Sequence, residues 1–279
     1  MELHYIKQGA GFPILCLHGH PGSAKTMGVF VEGLSDRYWT LAPDLRGYGR
    51  SRTRSPFALE DSLPDLIELL DGEGIERCLV LGWSLGGILA LELALRYPQR
   101  VVGLVLIATA ARPVGNHPPP TWLELINTGL GSILNLLAPG NPLVTQGLGP
   151  RSLYRYLLRQ HTPLAYQHLA KEGFWAYLGT SPLAHRALNR ALARRYNRLP
   201  DLNTIAVPCL VLCGAEDRHI TAQASLETAA HLPQCHSHCY PNTAHLLPWE
   251  IPHQMLADIH HWLANHGQVL GLSNSDAIP

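Results

Sequence analysis

The chain reads as an α/β protein: a mostly parallel sheet with helices on both faces, and a helical insertion ahead of the last strands. Short, unbroken apolar runs at residues 13–17, 78–81, 101–107 and 205–213 have the character of strands buried on both sides. Between the earlier runs lie helical patterns of the length that a parallel crossover needs. From residue 112 to 200 the strand rhythm stops and only helix-like patches remain.

Residues 4–8 alternate and end at Gly9-Ala10-Gly11, an edge strand and turn. The strand at 13–17 runs into His18-Gly19-His20-Pro21-Gly22-Ser23, a loop leading to a helical stretch at 27–34. Residues 38–43 form the next strand, followed by the loop 44–51. A helix is expected at 59–70, where Pro64 sits near the first turn, the place a helix tolerates it. The strand 78–81 enters a tight turn and a helix at 88–95, and 101–107 is another buried strand. Within the insertion, helical patches fall at 122–137, 152–159, 164–178 and 183–196. The strand at 205–213 is followed by a helix at 222–232, a short strand near 236–240 and a terminal helix at 253–266. The division expected is a core of residues 1–111 and 201–266, a cap of 112–200 and a loose tail of 267–279.

With 279 residues, 46% of them hydrophobic and 15% charged, the chain can bury a large core and is not of disordered composition. The formal net charge of zero gives no general attraction to nucleic acid. No apolar run reaches the roughly 18 residues of a membrane span, and no secretory leader precedes Met1-Glu2-Leu3-His4. Four of the six cysteines (Cys16, Cys78, Cys209 and Cys213) lie in or beside strand runs and read as small buried apolar residues, so a reduced, cytoplasmic setting is expected. Cys235-His236-Ser237-His238-Cys239 has metal-ligand residue types, but strand alternation puts the cysteines on one face and the histidines on the other. One strand cannot wrap those four around a zinc ion, so neither metal nor cofactor is expected.

Chemistry centres on Gly82-Trp83-Ser84-Leu85-Gly86, between an apolar strand and an apolar helix. The glycines permit a sharp strand-to-helix turn that pushes the Ser84 hydroxyl out at the strand's carboxyl end. A serine hydroxyl is a weak nucleophile near neutral pH and needs a base, usually a histidine oriented by a carboxylate. On such a sheet the chain order is Ser, then Asp or Glu, then His. Gly214-Ala215-Glu216-Asp217 follows one strand after the insertion, and Asp217 is favoured over its neighbour Glu216. Asn242-Thr243-Ala244-His245 follows the next strand, which singles out His245 among sixteen histidines. The backbone N–H groups of Leu85 and His20 stand where an oxyanion would be held. Trp83, Leu246 and Trp122 are candidates for an apolar substrate pocket.

These motifs, in this order, resemble the α/β-hydrolase superfamily. His18-Gly19-His20-Pro21 matches its His-Gly-x-Pro pattern, and Asp44 to Ser51 matches its Asp-x-x-Gly-x-Gly-x-Ser loop, which reads as structural. Ala244-His245 departs from the family's Gly-His, while Glu250-Ile251-Pro252 downstream agrees with it. The resemblance implies a helical cap after the sixth core strand. It also implies a serine member, since dehalogenases and epoxide hydrolases carry an aspartate at the elbow. Leu81-Gly82-Trp83-Ser84-Leu85-Gly86-Gly87 is similar to carboxylesterases of the pimeloyl-acyl-carrier-protein methyl ester esterase type, and also to perhydrolases and enol-lactonases.

The activity expected is hydrolysis of a carboxylic ester or thioester through an acyl-enzyme. Cleavage of a carbon–carbon bond, a lyase, lactonase or perhydrolase reaction on the same residues, and ligand binding without turnover are the alternatives. Residues 112–200 hold ten Lys or Arg against two Glu, a net +8, which leaves −8 for the rest. Arg151, Arg155 and Arg159 repeat every four residues, as do Arg186, Arg190 and Arg194, so each set stacks on one face if helical. This is either a solvated face that balances an acidic core or a surface for an acidic partner: a carrier protein, a coenzyme A thioester or a carboxylate-bearing ester.

Overall fold

The computed structural model describes residues 1–270, with the residues after Leu270 outside the description. Seven strands form one sheet in the order β1-β3-β2-β4-β5-β6-β7. They are β1 (Tyr5–Gln8), β2 (Phe12–Leu17), β3 (Tyr38–Pro43), β4 (Cys78–Trp83), β5 (Val101–Ile107), β6 (Cys209–Gly214) and β7 (Cys235–Tyr240). Only the β1–β3 pairing is antiparallel. The helices flanking the sheet are α1 (Gly28–Leu34), α2 (Ser62–Gly72), α3 (Leu85–Arg96), α8 (Ala222–His231), α9 (Leu247–Glu250) and α10 (Pro252–Leu270).

Strand alternation explains the two cores. Leu15, Leu17, Val80, Leu104, Leu106 and Val211 point into one of them, packed with α2 and α3. Their neighbours Cys16, Leu79, Leu81, Val105, Ile107 and Leu212 point into the other, packed with α1 and α10. A sheet buried on both faces needs apolar residues at every position, which is why these strands read as continuous runs. Val101–Ile107 is fully buried along its length.

Between β5 and β6 the chain is helical: α4 (Trp122–Leu137), α5 (Pro163–His168), α6 (Phe174–Gly179) and α7 (Pro182–Ala193), with a π-helical turn at Leu169–Gly173 joining α5 to α6. The insertion follows β5, the fifth strand of this chain. Two expectations are corrected. The patch at 152–159 makes only a short 3-10 turn, Leu153–Tyr156, capped by the Ser152 hydroxyl. The terminal helix continues to Leu270, beyond the expected limit at 266; the rest of the expected tail, 271–279, lies outside the described residues. No helix among the described residues is long and apolar enough to cross a membrane.

Candidate active site

Parallel strands deliver their following loops to one edge of the sheet, and Ser84, Asp217 and His245 come from the loops after β4, β6 and β7. Ser84 has φ 54° and ψ −115°, a left-handed, strained conformation at the strand-to-helix turn. Its amide donates to Ile107 O at 2.8 Å, and its carbonyl accepts the Thr109 hydroxyl at 2.7 Å and the Gly87 amide at 2.9 Å. The turn leaves no room for side chains: a Cβ on Gly86 would lie 2.0 Å from Leu17 O. Likewise the loop after β2 lies directly against the serine, with a Cβ on Gly19 falling 3.2 Å from Ser84 Cβ.

Ser84 Oγ is 3.1 Å from His245 Nε2, and His245 Nδ1 is 2.8 Å from Asp217 Oδ2. All three residues are buried, whereas Glu216 is exposed. The other Asp217 oxygen accepts the amides of His219 and Ile220 at 2.8 and 2.9 Å, which holds the carboxylate in its plane. An acceptor at Nδ1 favours the tautomer with its proton there, leaving Nε2 free to accept from the serine.

The loop from β2 is held by histidine chemistry of its own. The Leu45 amide donates to His18 Nε2 at 3.0 Å, so the Nδ1 proton of the neutral ring donates to Gly19 O at 2.8 Å. Burial pushes the His18 pKa down to about 4. His20 sits at the cavity with Nδ1 2.7 Å from the Tyr48 hydroxyl and Nε2 2.9 Å from Nδ1 of His185 on α7. Burial first, then the neighbouring His185 and His18, lowers its pKa to about 4. Asp44 accepts the amides of Ala24 and Arg50 at 2.7 and 2.8 Å, a structural role for the loop that it begins.

A cavity of about 580 Å³ opens above Ser84 and Leu85. Its apolar wall includes Ile88, Leu188, Leu192 and Ile220, and its polar wall includes His20, His219, Arg112 and Arg195. Arg112 is already engaged by both Glu227 oxygens, at 2.7 and 2.9 Å. The three residues expected to line a pocket do not line this one. Trp83 is core, packed edge-on against Trp249 with its indole N–H on His245 O at 3.2 Å. Leu246 is also core, its amide donating to Leu157 O. Trp122 lies on the outside of the insertion, 67% exposed.

Two further residues support the site: Glu250, from the Glu-Ile-Pro stretch noted in the sequence, and His219, which matches no motif there. The His219 ring packs edge-on to His245 at 4.6 Å, and desolvation, then the charge of His245, pushes its pKa down to about 3. Its position two residues after Asp217 is the signal that places it there. Glu250 accepts the Ala244 amide with one oxygen and the Arg159 and Gln160 amides with the other. Burial raises its pKa, which these amide bonds partly offset.

The fold and site geometry define a protein of the hydrolase-type α/β class. The model of the alpha/beta hydrolase family matches residues 14–259, and the chain belongs to that family. It is 28% identical over 261 residues to the biotin biosynthesis bifunctional protein BioHC of Cellvibrio japonicus, covering 88% of this chain but 47% of that one, so the chain spans about half the length of this relative. It is 29% identical over 252 residues to 2-hydroxymuconate semialdehyde hydrolase of Pseudomonas putida, covering 85% of this chain and 82% of that one. Among solved structures, a thermophilic esterase from Thermogutta terrifontis is 26% identical, with a TM-score of 0.72 and coverage of 94% of this chain and 93% of that one.

Proposed function

We propose that the chain is a serine hydrolase that cleaves a carboxylic ester or thioester through an acyl-enzyme, with 112–200 as the cap over a core of 1–111 and 201–266. The reading rests on the continuous line of contact from Asp217 through His245 to Ser84 at the floor of the cavity. Ser84 Oγ attacks the carbonyl carbon while its proton passes to His245 Nε2. The tetrahedral oxyanion is held by the N–H groups of Leu85 and His20, and Asp217 stabilises the imidazolium. Collapse breaks the bond to the alcohol or thiol, which leaves with the proton from His245. Water then attacks the acyl-enzyme by the same route in reverse, releasing the acid and free Ser84.

Arg195 lines the cavity and makes no ion pair among the described residues, which favours substrates that carry a carboxylate or phosphate near the acyl group. An ester or thioester whose acyl chain ends in a free carboxylate belongs to that class. A second reading, carbon–carbon bond hydrolysis, is favoured by the similarity to 2-hydroxymuconate semialdehyde hydrolase over most of both chains. The test is a panel of p-nitrophenyl esters, acyl thioesters and vinylogous 1,5-diketones with wild type and Ser84→Ala. Ester turnover lost in Ser84→Ala supports the proposal. Turnover of the diketones alone selects the second reading, and ester turnover that survives Ser84→Ala removes the serine mechanism.

A further inference from the structure

Helix α4 is built inside out. Its outer side carries Trp122, Ile126, Leu130, Ile133 and Leu137, each 49–80% exposed. At 3.6 residues per turn these five fall within an arc of about 80°. The opposite arc carries Glu124, Thr128, Ser132 and Asn135, and this polar side faces the protein.

Every member of the inner set is satisfied. Glu124 caps Thr121 and accepts from Tyr156 and Arg155. The Thr128 hydroxyl accepts the Leu153 amide, Ser132 meets the Tyr154 hydroxyl, and Asn135 bonds Tyr166 O and the Gly140 amide. These bonds fix the rotation of the helix, so the apolar side cannot turn inward without breaking them. The stripe runs the length of a 16-residue helix, roughly 24 Å at 1.5 Å per residue. Fourteen of the fifteen exposed large apolar side chains among the described residues lie in the same insertion.

Such a face needs an apolar cover, and charge selects which. The insertion holds ten Lys or Arg against two Glu, and seven of the ten make no ion pair among the described residues, so two copies meeting cap to cap would bring like charges together. Arg151 adjoins the helix, its carbonyl accepting from Asn127 of α4, and makes no ion pair among the described residues. An apolar helix face with the unpaired Arg151 at its border, on an insertion of net positive charge, is complementary to an anionic lipid–water interface. We propose that the outer face of α4 seats the protein on anionic membrane surfaces, the apolar stripe entering the headgroup–acyl boundary without spanning the bilayer.

Vesicle flotation with phosphatidylcholine alone and with added phosphatidylglycerol tests this, using the full chain and the double variant Ile126→Glu/Ile133→Glu. The expected result is binding that requires phosphatidylglycerol, weakens with salt, and falls at least about tenfold in the double variant, while Leu226→Glu on α8 binds as wild type. Near-unchanged hydrolysis of a short soluble ester by the double variant shows that it is folded. No binding by wild type, or binding that the double variant retains, overturns the proposal. So does a dimer of the wild type that the variant dissociates, since a second copy would then cover the face. Loss of soluble-ester turnover with vesicle binding intact also overturns it, because the stripe would then border the substrate's entry path.

Discussion

Glu250 is tied to Ala244 by a 2.8 Å bond from the Ala244 amide, and the same carboxylate accepts the amides of Arg159 and Gln160 at 2.9 and 2.6 Å. One buried side chain therefore joins the loop that carries His245 to the segment after Leu153–Tyr156 of the insertion. Replacing Glu250 with Leu leaves these amides without an acceptor and should cost roughly 2–4 kcal/mol in urea unfolding. Because the loop sets where the imidazole stands, kcat should fall at least about tenfold while KM stays within about twofold. Glu250→Gln keeps one oxygen acceptor and should recover part of kcat; equal deficits in both variants would argue for a role confined to stability.

The parts that are local in sequence were legible from it. The Gly-x-Ser-x-Gly turn between an apolar strand and an apolar helix is short-range information, and so are the residues that follow β6 and β7. Pocket lining was not, because it depends on how the insertion lies over the sheet. Leu188 and Leu192 line the cavity from α7, while Trp83 and Leu246, which flank Ser84 and His245 in sequence, and Trp122 of the insertion face elsewhere. The partnership of His20 with His185 spans 165 positions and no periodicity encodes it. Nor does the pattern of α4 reveal its orientation: an amphipathic helix has two faces, and hydrogen bonds from distant residues decided which one turned inward.

His18 predicts a pH dependence of stability. Its pKa is about 4 in the fold against 6.5 for the unperturbed ring. Between those values the unfolded chain binds the extra proton, so stability is full above about 6.5 and is lost as pH falls towards 4. The loss attributable to this ring is on the order of 3 kcal/mol. Urea unfolding at pH 7, 6, 5 and about 4.5 should show the decline. In His18→Gln the decline should be shallower, from a lower starting stability; an unchanged slope would place the titration on other residues.

Two glycines should respond in opposite senses to the same substitution. Gly86→Ala drives a methyl group to 2.0 Å from Leu17 O at the elbow, and neither backbone can yield without opening the β2–β4 pairing. A loss above roughly 3 kcal/mol, or insoluble protein, is the expected outcome. Gly129, within α4, has nothing within 4 Å of the same position. Alanine there should stabilise by about 0.5–1 kcal/mol, since it limits the unfolded chain and suits a helix. Thermal unfolding of the pair measures both.

Arg190 and Arg194 line a second cavity of about 270 Å³ that shares Arg195, Tyr196 and Asn197 with the cavity above Ser84. Together with Arg186 they form an exposed row on and just after α7, and none of the three makes an ion pair among the described residues. Cations at a cavity mouth attract anionic substrates and hold their charged end, with an effect that weakens as salt rises. Reversing Arg186, Arg190 and Arg194 to Glu should raise KM for a carboxylate-bearing ester by roughly tenfold or more and leave a small neutral ester within about twofold. Added salt should narrow the gap between the variant and wild type. An equal rise in KM for both esters would instead mark a loosened α7, and the row would then be a solvated face that balances the acidic core.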